Sequence, residues 1–353
     1  MLVALLASTV TYVLVENPVR HARPLLRLRW ASVGLGAGLT AVAFGVVTLT
    51  SGVAGGSGIA ARAVAAATTG NGPGASLSTV LSLVAASGQI RTVPPHLAPP
   101  LSLAVTEPLS NLGVPPLNTG CWPSESQATV PTCVFGDRTG NHTMVLYGDS
   151  HAGMWFQALD DIATRSHWKL VVLSKGSCPA ALVPTHAVGS TGEWVACDRW
   201  HQYAVDRINR IDPDLLLISQ ASWYETPTGT EYTAMQWRRP LEQLFRAITA
   251  PKTAKVVIGD MPWSRGPDCV AQHVSDVQAC SGAPITSYLN VERRAALAEG
   301  VRYISVTPWF CTKACSPIIG HYSAYFLTNH VAVGYSRFLE GVLAQSLDLQ
   351  RFG

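Results

Sequence analysis

Val145-Leu146-Tyr147-Gly148-Asp149-Ser150-His151-Ala152 is the stretch around which the chain is organised. An apolar run stops abruptly in Gly-Asp-Ser-His, and a helix-like pattern follows. A serine at such a junction is presented at the carboxyl end of a strand. The helix N terminus there favours negative charge and supplies free backbone N–H groups, which suits an oxyanion. Moving outward, apolar runs at 143–148, 169–174, 214–219, 254–259 and 302–306 read as strands. Helical stretches at 152–166, 196–211, 236–249, 288–299 and 332–347 lie between and after them. Strands alternating with helices predict an α/β fold in three layers, a mainly parallel sheet covered on both faces. Ligands of such sheets bind outside the carboxyl ends of the strands.

Ser150 needs a base, because a serine hydroxyl is a weak nucleophile at neutral pH. His330 is the best placed of the ten histidines, since it follows the last strand and precedes the final helix. His321 is the reserve candidate. His151 adjoins the serine and reads as a supporting or substrate-edge residue. Trp223, Tyr224, Trp263 and Trp309 all fall near strand ends, where aromatics suit sugar rings and equally suit buried packing.

The chain is 48% hydrophobic, 13% charged, and carries a net charge of +3. Its arginines form no cluster in the folded half, which speaks against a nucleic-acid partner. All eight cysteines fall after residue 120, in close pairs: Cys121 and Cys133, Cys178 and Cys197, Cys269 and Cys280, Cys311 and Cys315. That usage predicts disulfides and an oxidising compartment, although eight cysteines allow on the order of a hundred connectivities. No CxxC motif or Cys/His cluster in the sequence points to a metal.

Residues 1–15 are apolar but short of the ~20 needed to cross a bilayer. A basic run with Arg20, Arg23, Arg27 and Arg29 follows, and residues 30–50 then carry no charge. These predict a transmembrane helix at 30–50, with 16–29 in the cytoplasm and the rest outside the cell membrane. Residues 51–118, rich in Gly, Ala, Ser, Thr and Pro, predict a linker or loosely packed extension, with a short helix at 76–86.

Two sets of residues carry a family resemblance. Gly148-Asp149-Ser150-His151-Ala152, Ser177-Cys178-Pro179, Cys197 with Trp200, Asp212 to Ile218, Trp223-Tyr224 and His330 resemble, in order, the blocks of the SGNH (GDSL-like) hydrolases and acyltransferases. The match is specifically to the SGNH domains fused to membrane acyltransferase-3 proteins. Tyr12 to Arg20, with Glu16-Asn17-Pro18-Val19-Arg20, resembles the end of the last helix of that membrane domain. The resemblance implies a flavodoxin-like extracytoplasmic domain at 119–353. Residues 1–29 would be a remnant of the membrane domain, whose remainder is missing or supplied by another polypeptide. It further implies O-acyl transfer, of an acetyl group, to a cell-envelope polysaccharide or glycolipid. Ser150 would be the nucleophile and His330 the base. Acyl-CoA would be the ultimate donor, and no cofactor would be held by the domain itself. Esterase chemistry, or a degenerate glycan-binding module, are the alternatives. In the family an aspartate sits three positions before the histidine; here that position is Leu327. A backbone carbonyl could orient the imidazole instead, or a carboxylate such as Asp260, at the end of the fourth strand, could substitute; otherwise the site is slow or dead. Gly176 and Gln220 are the expected counterparts of the family's oxyanion glycine and asparagine. Asp149 and His151 are expected to support the site.

Overall fold

The computed structural model describes residues 74–106, 113–116, 119–284, 286–327 and 329–352. The remnant of 1–29, the span at 30–50 and the first part of the linker lie outside them. Among the described residues no helix is long and apolar enough to cross a membrane.

The sheet has six strands: β1 (Val134–Gly136), β2 (His142–Gly148), β3 (Trp168–Ser174), β4 (Leu215–Ser219), β5 (Ala254–Ile258) and β6 (Arg302–Ile304). Their order is β1-β3-β2-β4-β5-β6. All neighbours are parallel except β1, which runs antiparallel to β3 at one edge. β4 is a Leu-Leu-Leu-Ile-Ser run buried along its whole length, as expected for a strand covered on both faces. Side chains alternate between the two faces, with a period of two. Met144 and Leu146 of β2 enter one core with Phe156, Leu159, Leu339 and Leu343. Val145 and Tyr147 enter the other with Trp200, Trp237, Leu241 and Ala295.

Helices Phe156–Arg165, Val333–Phe338 and Glu340–Leu347 therefore cover one face of the sheet. Helices Val195–Ile211, Ala234–Ala247 and Ser287–Ala298 cover the other. The expected helix at 152–166 is split: Ser150–Gly153 forms one turn, and the helix resumes at Phe156. The expected start at 236 moves back to Ala234, because Thr233 and Gln236 close a capping box that satisfies two end groups reciprocally.

Strand β2 lies between β3 and β4: the chain steps from β2 to β3 on one side, and then crosses back to β4 on the other. That is the switch point at which ligands of open α/β sheets bind. The register brings Gly148 level with Ser174 of β3 and Ser219 of β4, so Ser150 emerges from the middle of this edge.

Composition suggests a linker before residue 118, yet residues 74–106 pack on the domain. Helix Leu77–Ser87, capped by the Ser76 side chain, places Val80 and Val84 in the first core. Ala75 donates its N–H to the Phe338 carbonyl at 2.9 Å, and Ala98 bridges to Tyr322. The low charge of this segment fits burial as well as it fits a linker.

The eight cysteines form four disulfides, each between sequence neighbours: Cys121–Cys133, Cys178–Cys197, Cys269–Cys280 and Cys311–Cys315. The second pair is 19 residues apart and joins the loop after β3 to helix Val195–Ile211. Closing a loop of that size in the unfolded chain is worth about 3 kcal/mol. Replacing both Cys178 and Cys197 by Ser is expected to lower unfolding stability by that amount, measured by urea titration without reductant.

Candidate active site

Ser150 opens the one-turn helix behind β2, and Asp149 is its N-cap. The Asp149 carboxylate accepts from the His151 N–H at 2.7 Å, the Ala221 N–H at 2.9 Å and the Tyr224 hydroxyl at 2.6 Å. Asp149 therefore ties the nucleophile turn to the loop after β4 and does not face the reacting groups. Burial pushes its carboxyl above the ordinary range.

His330 arrives on a hairpin. Strand Tyr325–Phe326 pairs with strand His330–Val331, and the Val331 N–H reaches the Met154 sulfur at 3.3 Å. Ser336 donates its hydroxyl to the Met154 carbonyl at 3.0 Å. The hairpin is thus moored to the residues just after Ser150. The result is 2.8 Å between His330 Nε2 and Ser150 Oγ, within reach for proton transfer. The sequence-predicted pair is brought together. His321 is not part of it; its ring lies against Tyr322.

Leu327 stands at the turn of that hairpin with φ 53° and is 46% exposed. His330 Nδ1 is buried and has no hydrogen-bond partner among the described residues. The expected substitute carboxylate, Asp260, is not at His330. Its Oδ1 lies 2.5 Å from Nδ1 of His151, and its two oxygens also accept from the Ser222 and Met261 N–H groups. The residue that gains an orienting carboxylate is therefore His151, 1% exposed, whose ring lies 4.5 Å from that of His330. Despite burial, the Asp260 charge and hydrogen bond hold His151 above the ordinary imidazole value.

Of the two expected oxyanion residues, Gln220 has its amide committed elsewhere, and Gly176 directly precedes a residue of the cleft wall. Gln220 is buried; its Oε1 accepts from the Ala181 N–H at 2.8 Å and its Nε2 donates to Glu292 at 3.4 Å. Ala221, next in the chain, lines the cleft instead. Gly176 lies against Trp122, which a Cβ at that position would meet at 3.2 Å. Its neighbour Ser177, at φ 59°, lines the cleft.

The cleft over Ser150 and His330 measures about 190 Å³, and His186, Trp223, Glu225 and Asn329 contribute to its walls. His186 and Glu225 meet at 2.8 Å across it. Nothing in the linear pattern singles out His186, Glu225 or the His151–Asp260 pair, because each depends on two segments meeting. Among the described residues, two groups of candidate metal ligands also form only in three dimensions: Cys178 and Cys197 with His201, and Cys269 and Cys280 with His273. Their sulfurs are already committed to disulfides.

Burial, and after it the charge of His151, pushes His330 down to about 2. The imidazole is then neutral, the proton-accepting form, across the neutral range. For cleavage of p-nitrophenyl acetate, kcat/KM is expected to run level from pH 7 down to about pH 4, without an acid limb near 6.5. A half-maximum between pH 6 and 7 would show an ordinary imidazole. The stability signs differ between the two buried groups. Folded His330 binds fewer protons than unfolded, so stability falls as pH drops from about 6.5 toward 2. Glu292 is raised by burial, and next by Asp260, from 4.5 to about 8. It binds more protons when folded, so stability falls as pH rises through that window. Glu292→Gln should flatten the alkaline fall of Tm.

Residues 120–345 match the family described as SGNH domain (fused to AT3 domains). No curated protein sequence matches the chain. Among solved structures, the chain is similar to the periplasmic domain of a lipopolysaccharide acetyltransferase from Salmonella ser. Paratyphi A. Identity is 15%, TM-score 0.48, and coverage 60% of this chain and 85% of that one.

Proposed function

This chain belongs to the family described as SGNH domain (fused to AT3 domains), and on that premise we propose that it is an O-acyltransferase of cell-envelope glycans. The observation that carries the reading is the 2.8 Å contact of Ser150 Oγ with His330 Nε2, placed in an open cleft at the sheet's switch point. Ser150 Oγ attacks the acyl carbonyl while its proton passes to His330 Nε2. The tetrahedral intermediate collapses, and the leaving group departs with that proton. A sugar hydroxyl then gives its proton to His330 and attacks the acyl-serine; as the intermediate collapses, His330 returns the proton to Ser150 Oγ, which restores the serine and leaves an ester on the sugar. We take the transferred group to be acetyl.

In the triad template a carboxylate on the far imidazole nitrogen stabilises the imidazolium formed in each step. Here that carboxylate serves His151, and His330 has none among the described residues. We therefore expect slow acylation.

We place the folded unit outside the cell membrane. The four disulfides support an oxidising compartment, and the arginines of residues 20–29 ahead of the uncharged stretch at 30–50 support the orientation. Acyl-CoA in the cytoplasm would be the ultimate donor, its acyl group passed across by a membrane acyltransferase domain.

The test follows the acyl group. The protein is incubated with p-nitrophenyl acetate, with and without a saccharide acceptor. Acetyl-saccharide formed in a Ser150-dependent way supports transfer. Release of acetate alone, at a rate no acceptor changes, supports an esterase. Absence of Ser150-dependent labelling by a fluorophosphonate probe would leave a glycan-binding module.

A further inference from the structure

Four aromatic residues stand near strand ends, and the fold separates their roles. Trp309 is 4% exposed and packs edge-on against Trp155. Tyr224 gives its hydroxyl to Asp149 and stacks on Trp237 at 5.7 Å. Trp223 is 42% exposed and forms a wall of the Ser150 cleft. Its backbone is nonetheless fixed. The N–H groups of Ala221 and Ser222 before it are held by Asp149 and Asp260, both buried. An exposed indole on an immobile mount keeps a broad apolar face in water. Such a face is stabilised when an amphipathic ring covers it.

Trp223 does not stand alone. Its ring meets that of Trp263 edge-on at 6.4 Å. Trp263 lines a second depression of about 750 Å³, together with Arg265, Gln272 and His273. This second floor is equally fixed. Arg265 donates its N–H to the Cys280 carbonyl at 3.1 Å, and Ser264 donates its hydroxyl to the same carbonyl at 3.0 Å. Cys280 is tied to Cys269 by a disulfide, and Gly282 exchanges two backbone hydrogen bonds with Cys315 of another. A Cβ at Gly282 would fall 1.8 Å from the Trp263 carbonyl oxygen, so the two backbones are in direct contact. The Arg265 side chain is exposed and makes no ion pair among the described residues.

We propose that the two depressions form one saccharide track, in which an anionic oligosaccharide lays one ring on Trp223 beside Ser150, a further ring against Trp263, and an acidic substituent at Arg265. The two indoles supply faces for the apolar side of a sugar ring. The planar guanidinium matches a carboxylate or phosphate group. This rests on the reading of the protein as a glycan acyltransferase and names the class of its acceptor: longer than one sugar, and acidic.

The test separates binding from turnover. The full chain carrying Ser150→Ala is titrated by calorimetry with galacturonate, tetragalacturonate, maltotetraose and a phosphorylated maltotetraose. The acidic tetrasaccharides are expected to bind at least about tenfold more tightly than galacturonate or neutral maltotetraose, and the stronger of the two identifies carboxylate or phosphate as the anion. Adding Trp263→Ala should weaken tetrasaccharide binding about tenfold and leave galacturonate binding as it was. Adding Arg265→Gln should remove the preference for acid while keeping the dependence on length. Arg265 is exposed, so this variant does not test folding. Binding indifferent to Trp263 and Arg265, or no saturable binding of any of the four, overturns the track. Fluorophosphonate labelling of the native chain is read separately. Labelling without saccharide binding rejects the track and leaves serine chemistry standing; binding without labelling does the reverse.

Discussion

Ser150→Ala, His330→Ala and the double variant are expected to lose the same fraction of ester cleavage, at least about a thousandfold. The equality matters more than the size. Two groups that act as one unit give strongly non-additive losses, because removing either already removes the step they share. Their 2.8 Å contact is the structural basis for treating them so. His330 has no second partner among the described residues through Nδ1, so it has no independent route by which to act. The check is the rate of p-nitrophenyl acetate hydrolysis for all four proteins, with circular dichroism to verify folding. A double variant tenfold below either single variant would show that the two act separately, and would move the base to another residue.

Gly148→Ala is expected to cost about 3 kcal/mol or more of stability, together with loss of Ser150 reactivity. Gly148 has φ 149°, and a Cβ there would fall 1.8 Å from the Ser219 carbonyl oxygen and 3.0 Å from the Ala152 Cβ. The Ser219 oxygen belongs to backbone at the end of β4, which pairs with β2 at this level. It cannot swing aside as a flexible side chain would. Relief requires parting β2 from β4, and that displaces the turn carrying Ser150. Gly189 is the control. Its φ is 72°, yet nothing lies within 4 Å of its Cβ position, so Gly189→Ala carries only the backbone cost of about 1 kcal/mol. Urea unfolding of both variants, and fluorophosphonate labelling rates, decide it. Similar losses at both positions would mean that the backbone angle, and not the close approach to β4, is what counts.

Much of the frame was legible from local pattern. A fully buried strand such as β4 reads as an unbroken apolar run, and an amphipathic helix such as Val195–Ile211 reads through its spacing. The helix starts and ends shifted by a few residues, because caps such as the Thr233–Gln236 box are set by a few local hydrogen bonds and not by the apolar spacing. Strand β1 is a lone Val-Phe-Gly between a cysteine and Asp137, with no apolar run to mark it. The docking of residues 74–106 was hidden for a different reason. Small apolar residues such as Val80 and Val84 mean linker or core according to what they touch, and their partners are far along the chain.

The site divides in the same way. The sequence by itself determined which residue is presented as nucleophile, since Gly-Asp-Ser-His at the end of an apolar run is a local arrangement of strand, turn and helix. It also determined the approximate place of His330, and it brought each cysteine near its partner, because closing a short loop loses little entropy. Only the tertiary structure decided where the carboxylates went. Asp260 lies 109 residues from His151 and could by spacing have served either histidine; the turn after β5 aims it at His151. Gln220 leaves the cleft wall to Ala221 because residues following a strand point alternately to its two sides, and the end of β4 turns the amide toward Ala181 and Glu292. Local sequence sets which groups are available at a strand end. The packing of loops from β2, β4 and β5 against one another sets which of them meet, because a hydrogen bond of 2.5–3.0 Å depends on the position of both backbones and neither is specified by its own residues alone.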